Sequence, residues 1–237
     1  MATIQTPVGM SKGLTIRRFN PGDVCGFAHD KVALPPRKDW PALLKDPSRV
    51  RMTRYVRSVL DQNGQGSCAS ESSTGNFKLV RAWQHQPFVE FNPWFNFYHV
   101  RSRGGGSSLD DNLRFGREFG YCPEEVWPRS EGVRKPSDEA YQAAKPFRGD
   151  EFDEVQGEDE AGGMLLSGLP FAFGWDGHSV VAVEMIDLEW FWYLNSWKDT
   201  WGEKPYPNCP FKGFGRLRLR DIDWRYGAYS FLTTTDT

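Results

Sequence analysis

Small and apolar residues recur with helical spacing from Cys68 to Trp83, where Ala69, Ser72, Ser73, Asn76, Val80 and Trp83 share one face. That pattern predicts a helix whose buried stripe starts small and ends large, weakened at Gly75 by about 1 kcal/mol relative to alanine. A second helix is predicted after Gly104-Gly105-Gly106-Ser107. Ser108 can cap it, Asp110 and Asp111 suit its positive first turn, and Gly120 ends it. A third, short helical stretch runs from Ser137 to Lys145.

The last third changes character. Leu169 to Phe173, Ser179 to Ile186, Trp190 to Asn195 and Phe214 to Leu219 are apolar or alternating and predict strands. At the other end, Pro7, Pro21, Pro35, Pro36, Pro41 and Pro47 recur too often in residues 1–55 for helix or central strand. The acidic, glycine-punctuated run from Gly149 to Glu160 predicts a solvated loop. A helix-rich first half and a strand-rich second half predict an α+β protein of two lobes. The expected boundaries are an irregular N-terminal arm over 1–33 and one domain over 34–237, with a helical lobe at about 54–135 and a β lobe at about 150–237. There is no internal repeat or low-complexity tract.

Length and composition narrow the class. At roughly 150 residues per domain, 237 residues make one large domain or two intimately packed lobes. Lys plus Arg number 29 against 31 Asp plus Glu, a balance that argues against nucleic acid as the main partner. Aromatic residues reach 15 %, enough large rings for a core and too many for a disordered chain. The most apolar run, Met164 to Trp175, is short and interrupted by Ser167, Gly168 and Pro170, so no membrane span and no membrane partner are expected. The first residues lack a basic start followed by an apolar stretch, the pattern of a secretory signal. Four cysteines at least 43 positions apart fit neither a disulfide framework nor a zinc site, and point to a reducing compartment: the cytoplasm, or the inside of a larger assembly such as a virion.

Phosphate-binding, zinc-protease, nucleophile-elbow and dinucleotide motifs are all missing. What remains is Asp61-Gln62-Asn63-Gly64-Gln65-Gly66-Ser67-Cys68, a polar glycine-rich loop that delivers Cys68 to the start of the first helix. At that positive end a thiol loses its proton more readily. His178 opens the apolar strand Gly177-His178-Ser179-Val180-Val181, and Asn195 stands at the end of the next, in Leu194-Asn195-Ser196-Trp197. Taken singly, each has an ordinary structural reading: a buried cysteine, a satisfied core histidine, an asparagine in a turn.

Together and in this order, these residues resemble the papain-like cysteine peptidases. The loop is similar to that family's Q-G-x-x-G-S-C, with Gln62 six before Cys68. Gly105-Gly106 matches its glycine pair ahead of a helix, and Phe119-Gly120-Tyr121 through Trp127-Pro128 its continuation in bacterial and phage branches. Gly177-His178-Ser179-Val180 fits the histidine strand, and Asn195-Ser196-Trp197 to Trp201-Gly202-Glu203 the N-S-W-G-x-x-W-G-E segment. Ala69 departs from the tryptophan usual after the nucleophile, Gln65 from the cysteine often found three before it, and the Trp175–His178 connection is short.

The resemblance implies a papain-like two-lobed α+β fold, a helical N-terminal lobe and an antiparallel β-sheet C-terminal lobe with the cleft between. It implies a cysteine-type peptidase cleaving peptide or isopeptide bonds without metal or cofactor. Cys68 would be nucleophile, His178 the proton carrier and Asn195 its orienting partner, with Gln62 in the oxyanion hole. Gly105, Gly106 and Trp197 would be the substrate-binding residues, the glycines pairing with an extended polypeptide and Trp197 also shielding the His–Asn bond. Two alternatives stay open: an amidase or transglutaminase-type acyl transferase on the same residues, and a structural or binding module. The arm, too short for a secreted enzyme's inhibitory propeptide, could pack, tether an assembly partner or block the cleft. Cys25, Cys122, Cys209, His29, His85 and His99 receive no role.

Overall fold

The computed structural model describes residues 12–17 and 25–236, and among these are seven α-helices, five short 3-10 helices and eight strands. The helices are α1 (Ala28–Lys31), α2 (Trp40–Lys45), α3 (Cys68–Trp83), α4 (Pro93–Val100), α5 (Leu109–Glu118), α6 (Asp138–Ala144) and α7 (Gly157–Leu166). The strands are β1 (Phe147–Gly149), β2 (Phe152–Glu154), β3 (Phe171–Trp175), β4 (His178–Met185), β5 (Trp190–Leu194), β6 (Phe214–Arg218), β7 (Ala228–Phe231) and β8 (Thr234–Asp236). Six strands form one antiparallel sheet in the order β2-β7-β3-β4-β5-β6, while β1 pairs with β8. The α+β class expected from the pattern is therefore the observed one.

The central helix α3 is buried on nearly every side. Its small polar residues bond outward rather than pack as an apolar stripe. Ser73 Oγ meets Tyr121 Oη at 2.6 Å, Asn76 Nδ2 donates to Pro170 O at 2.8 Å, and Asn76 Oδ1 accepts from Phe231 N at 3.0 Å. Ser72 Oγ meets Ser179 Oγ at 2.5 Å, which ties α3 to β4 next to the first residue of that strand. Buried polar groups satisfied in this way fix one helix–sheet register, since any other would leave them unpaired.

Two expectations are corrected. Residues 25–55 are not wholly irregular, because Pro41 occupies the first turn of α2, where its missing N–H costs nothing. Pro7 and Pro21 lie outside the described residues. Trp40, wholly buried, leans on Gly162 of α7, so this part of the arm clads the sheet lobe. Nor is the acidic run a solvated loop. Phe152–Glu154 is a buried strand paired with β7, and Glu158, Asp159 and Glu160 form the first turn of α7. There the helix dipole favours carboxylates, and the Glu160 carboxylate also accepts from the backbone N–H groups of His29 and Gln156, both at 2.9 Å. The helix α4 was not anticipated. Pro93 is its first residue, where a missing N–H costs nothing, and the Asn92 side chain caps it through Trp94 N.

Candidate active site

The loop before α3 turns on Asn63 and Gly64, both with positive φ (46° and 76°). It is fastened to the sheet lobe by Gln62. The backbone N–H of Gln62 donates to Ser196 O at 3.0 Å, and its Oε1 accepts from Ser196 Oγ at 2.9 Å and Trp197 Nε1 at 3.1 Å. Gln62 Nε2 donates to Gln65 O at 2.6 Å. Cys68 follows as the first residue of α3.

On the sheet side, Asp176 and Gly177 (φ 50° and 69°) make the two-residue turn joining β3 to β4, the Asp-Gly chemistry that a tight hairpin demands. His178 is thereby the first residue of β4. Its Nε2 lies 2.8 Å from Asn195 Oδ1, so Nε2 carries the hydrogen and Nδ1, which has no partner, is left with the lone pair. Asn195 Oδ1 is held in turn by Ser196 N at 2.8 Å. The Trp197 ring stacks on His178 with centroids 4.6 Å apart, and Trp201 meets Trp197 edge-on at 5.4 Å. Trp197, 2 % exposed, covers the His178–Asn195 bond, so its place is behind the imidazole and not on a substrate-facing surface.

Gln62 is thus tied to the residues that follow Asn195, Asn195 to His178, and the Cys68 thiol to the backbone of Ser179 next to His178. Of the roles left open for the N-terminal arm, the placement of residues 12–17 fits a cleft-blocking segment. Residues 12–17 run through the cleft, with Gly13 threaded at its narrowest point. A Cβ on Gly13 would overlap the carbonyl of Gly66, and a Cβ on Gly106 would overlap the carbonyl of Gly13. Ser107 N donates to Gly13 O at 2.9 Å and Thr15 N to Ser107 O at 3.0 Å, a parallel pairing centred on Leu14. Leu14 N reaches across to Gly177 O at 3.2 Å, and the Leu14 side chain is buried with Cys68 and Ala69, against Gly174. Lys12 Nζ pairs with Asp176 at 2.7 Å, and Arg17 pairs with Glu154 and donates to Trp224 O at 3.1 Å. Gly106 lies against this segment, whereas the Cβ direction of Gly105 points into open space.

Electrostatics follow from the cover. The helix start was expected to lower the Cys68 pKa. Instead burial dominates and pushes the thiol up to about 11, against smaller lowering effects from the backbones of Gly13, Ser179 and Ala69. Burial likewise pushes His178 down to about 4, partly opposed by the Asn195 bond. Burial thus favours the neutral thiol at Cys68 and the neutral imidazole at His178. No sequence signal marked Gly13 or Leu14, because their partners lie some 50 to 160 positions away.

Xylellain, a cysteine protease from Xylella fastidiosa, superposes with a TM-score of 0.64 over 92 % of this chain and 99 % of its own at 21 % identity. The chain has the papain-like fold. Digestive procathepsin L2 from the Tenebrio molitor larval midgut matches with a TM-score of 0.69 at 17 % identity, over 98 % of this chain and 81 % of that one. The Carica candamarcensis cysteine protease CMS1MS2, solved in complex with E-64, matches with 0.60 at 18 %, over 79 % and 99 %. No protein-family model and no curated protein matches the chain. Within the papain-like fold, α3 and β4 form the two walls of the site just described. Among the described residues no three His, Cys, Asp or Glu side chains gather to hold a metal ion, and no helix is long and apolar enough to cross a membrane.

Proposed function

We propose that the chain is a cysteine-type peptidase acting on polypeptide substrates through Cys68, His178 and Asn195, with residues 12–17 holding it in a covered resting form. The observation that carries this is the His178–Asn195 bond at 2.8 Å, which commits Nε2 and leaves Nδ1 as the base for a thiol on the facing helix. Once the segment leaves, water and the helix start favour transfer of the Cys68 proton to His178 Nδ1. The thiolate attacks the scissile carbonyl, and the resulting oxyanion is met by the Cys68 N–H and the Gln62 side-chain amide. Collapse breaks the C–N bond, and the leaving amine takes the proton from His178. Water then attacks the thioester, gives its proton to His178, and the acid and the thiol are released.

The same segment explains why the covered form is neutral and why its glycine is needed at the narrowest point. Substrate must displace main chain, not merely a side chain.

The test is labelling of the full-length protein with a thiol-directed epoxide, peptide mapping, and product analysis on a peptide library with and without an added amine. Modification confined to Cys68 and lost in His178→Ala, with free acid as product, is the expected result. Cys68→Ala is expected to lower turnover by on the order of 10⁴-fold or more with little change in melting temperature. Amine incorporation in place of acid would replace hydrolysis by acyl transfer. Labelling of Cys122 or Cys209 as fast as Cys68 would remove the proposed activation.

A further inference from the structure

Three residues beyond Cys68, α3 carries a carboxyl that the chemistry above does not use. Glu71 is 1 % exposed and turns back toward the helix start. Its Oε1 accepts from Ser67 Oγ at 3.0 Å, and its backbone N–H donates to Ser67 O at 2.9 Å. Ser67 occupies the N-cap position yet makes no side-chain cap bond, because its hydroxyl is given to Glu71 instead. The Trp94 indole of α4 reaches the Glu71 carboxyl and favours its charged form, against the larger effect of burial, and Glu71 lines a cavity of about 590 Å³ between α3 and strands β4 and β5. Asn195 and Ser196 line the same cavity from the sheet side.

We propose that Glu71 is a positioning residue of this site: its carboxyl anchors Ser67, and through Ser67 the backbone N–H of Cys68 that would face the developing oxyanion. The assignment rests on the peptidase reading above and names how that site is held. A donor on the first peptide of a helix is aimed by the residue before it, and small misplacements of such donors are costly. The bond from Ser67 needs only an acceptor, so the neutral acid serves it.

Neutrality is also what the surroundings favour. Burial pushes the Glu71 carboxyl up to about 8. The charged groups around it are Arg129, Asp61 and Lys78, with the Cys68 thiol one turn away and the Trp94 indole on α4. Arg129 is engaged by Glu124 and the Asp61 carbonyl, and Lys78 by Glu90 and Ser58. An ionised Glu71 raises the Cys68 pKa and so opposes the thiolate. The sign is therefore fixed. Below about pH 8 the acid is neutral and the nucleophile unopposed; above it the new charge penalises the thiolate. Stability moves the same way, since the folded state holds a proton that the unfolded chain releases near its ordinary value, and folding weakens as pH rises toward 8.

The test compares wild type, Glu71→Gln, Glu71→Ala and Ser67→Ala in the full-length chain. The rate of Cys68 alkylation by iodoacetamide is followed from pH 6 to 10, and kcat and KM are read on active-site-titrated enzyme. Glu71→Gln keeps the acceptor and loses the charge, so kcat at pH 6 is expected within about threefold of wild type and the alkylation midpoint to move to lower pH. Glu71→Ala and Ser67→Ala are each expected to lose on the order of tenfold in kcat at nearly unchanged KM, with no further loss when combined. Coincident alkylation profiles for wild type and Glu71→Gln, or a parental kcat in titrated Glu71→Ala, would overturn the assignment. If Glu71→Ala does not fold, the glutamine profile and Ser67→Ala decide. Alkylation needs no turnover: a wild type that alkylates at Cys68 but hydrolyses no peptide sinks the peptidase reading, and the profiles still decide the role of Glu71.

Discussion

The two lobes meet along α3 and β4 twice, and the two meetings are built differently. At the front, around Cys68, they are bridged by main chain: Gly13 sits between Gly66 and Gly106, where any Cβ would overlap a carbonyl. Farther along the same helix, between Glu71 and Ala82, the lobes part around the 590 Å³ cavity, and the glycine there, Gly75, meets only a Val181 methyl at 3.1 Å. Backbone against backbone cannot yield, whereas a side chain can turn aside. The front is thus an all-or-none closure over Cys68, and the rear is a tolerant joint. The same difference separates the titrations. At the front, burial favours the neutral forms of Cys68 and His178. At the rear it neutralises Glu71, whose work as an anchor needs no charge.

The sharpest way to break this comparison is Gly13→Leu. A side chain at that point has no room while residues 12–17 occupy the cleft, so the segment must leave. The thiol then regains solvent, its pKa falls from the covered value, and Cys68 alkylation at pH 7 is expected to rise at least on the order of tenfold, the gain from opening a low-stability local segment. Protection of backbone amides at Leu14 and Thr15, which donate to Gly177 and Ser107, should vanish in parallel. Parental alkylation and protection would mean that the front is not closed by main chain.

How much of this was written in the pattern of residues follows the same divide. The extent of α3, the Ser108 cap of α5 and the strands β3 to β6 emerge from local periodicity and capping, because each is decided by neighbours within a few positions. Gln62, Cys68, His178 and Asn195 were singled out through their motifs; the structure bonds His178 to Asn195 and Gln62 to Ser196 and Trp197, and sets the Cys68 thiol against the Ser179 backbone. The acidic run failed as a loop because charge was counted without the helix N-terminus and the Arg17 partner that absorb it. Gly13, Leu14 and Glu71 were invisible for a related reason. Their significance lies in contacts across the cleft or in a buried environment, and no spacing rule reports either.

A change of intermediate size sharpens the comparison from the rear. Gly75→Ala places a methyl against one movable Val181 methyl while improving helix propensity by about 1 kcal/mol. The expected outcome is unchanged to higher stability, with a melting temperature up to about 2–4 °C above wild type. Turnover should be unaltered. A clear loss of stability would show that the rear is packed as rigidly as the front.

The smallest expected effect belongs to the rim of the front closure. Lys12 Nζ pairs with Asp176 at 2.7 Å, but their side chains are 27 % and 39 % exposed, so water screens the pair. Such pairs contribute about 0–1 kcal/mol. Lys12→Ala should therefore raise Cys68 alkylation no more than about fivefold, the factor that corresponds to the upper end of that range. In wild type, raising the salt to 1 M should give a similar gain, and in Lys12→Ala a smaller one, because the pair that salt screens is gone. A Lys12→Ala effect as large as that of Gly13→Leu would place the closure in the ion pair. A small, salt-dependent effect beside a large, salt-independent one places it in the glycine backbone.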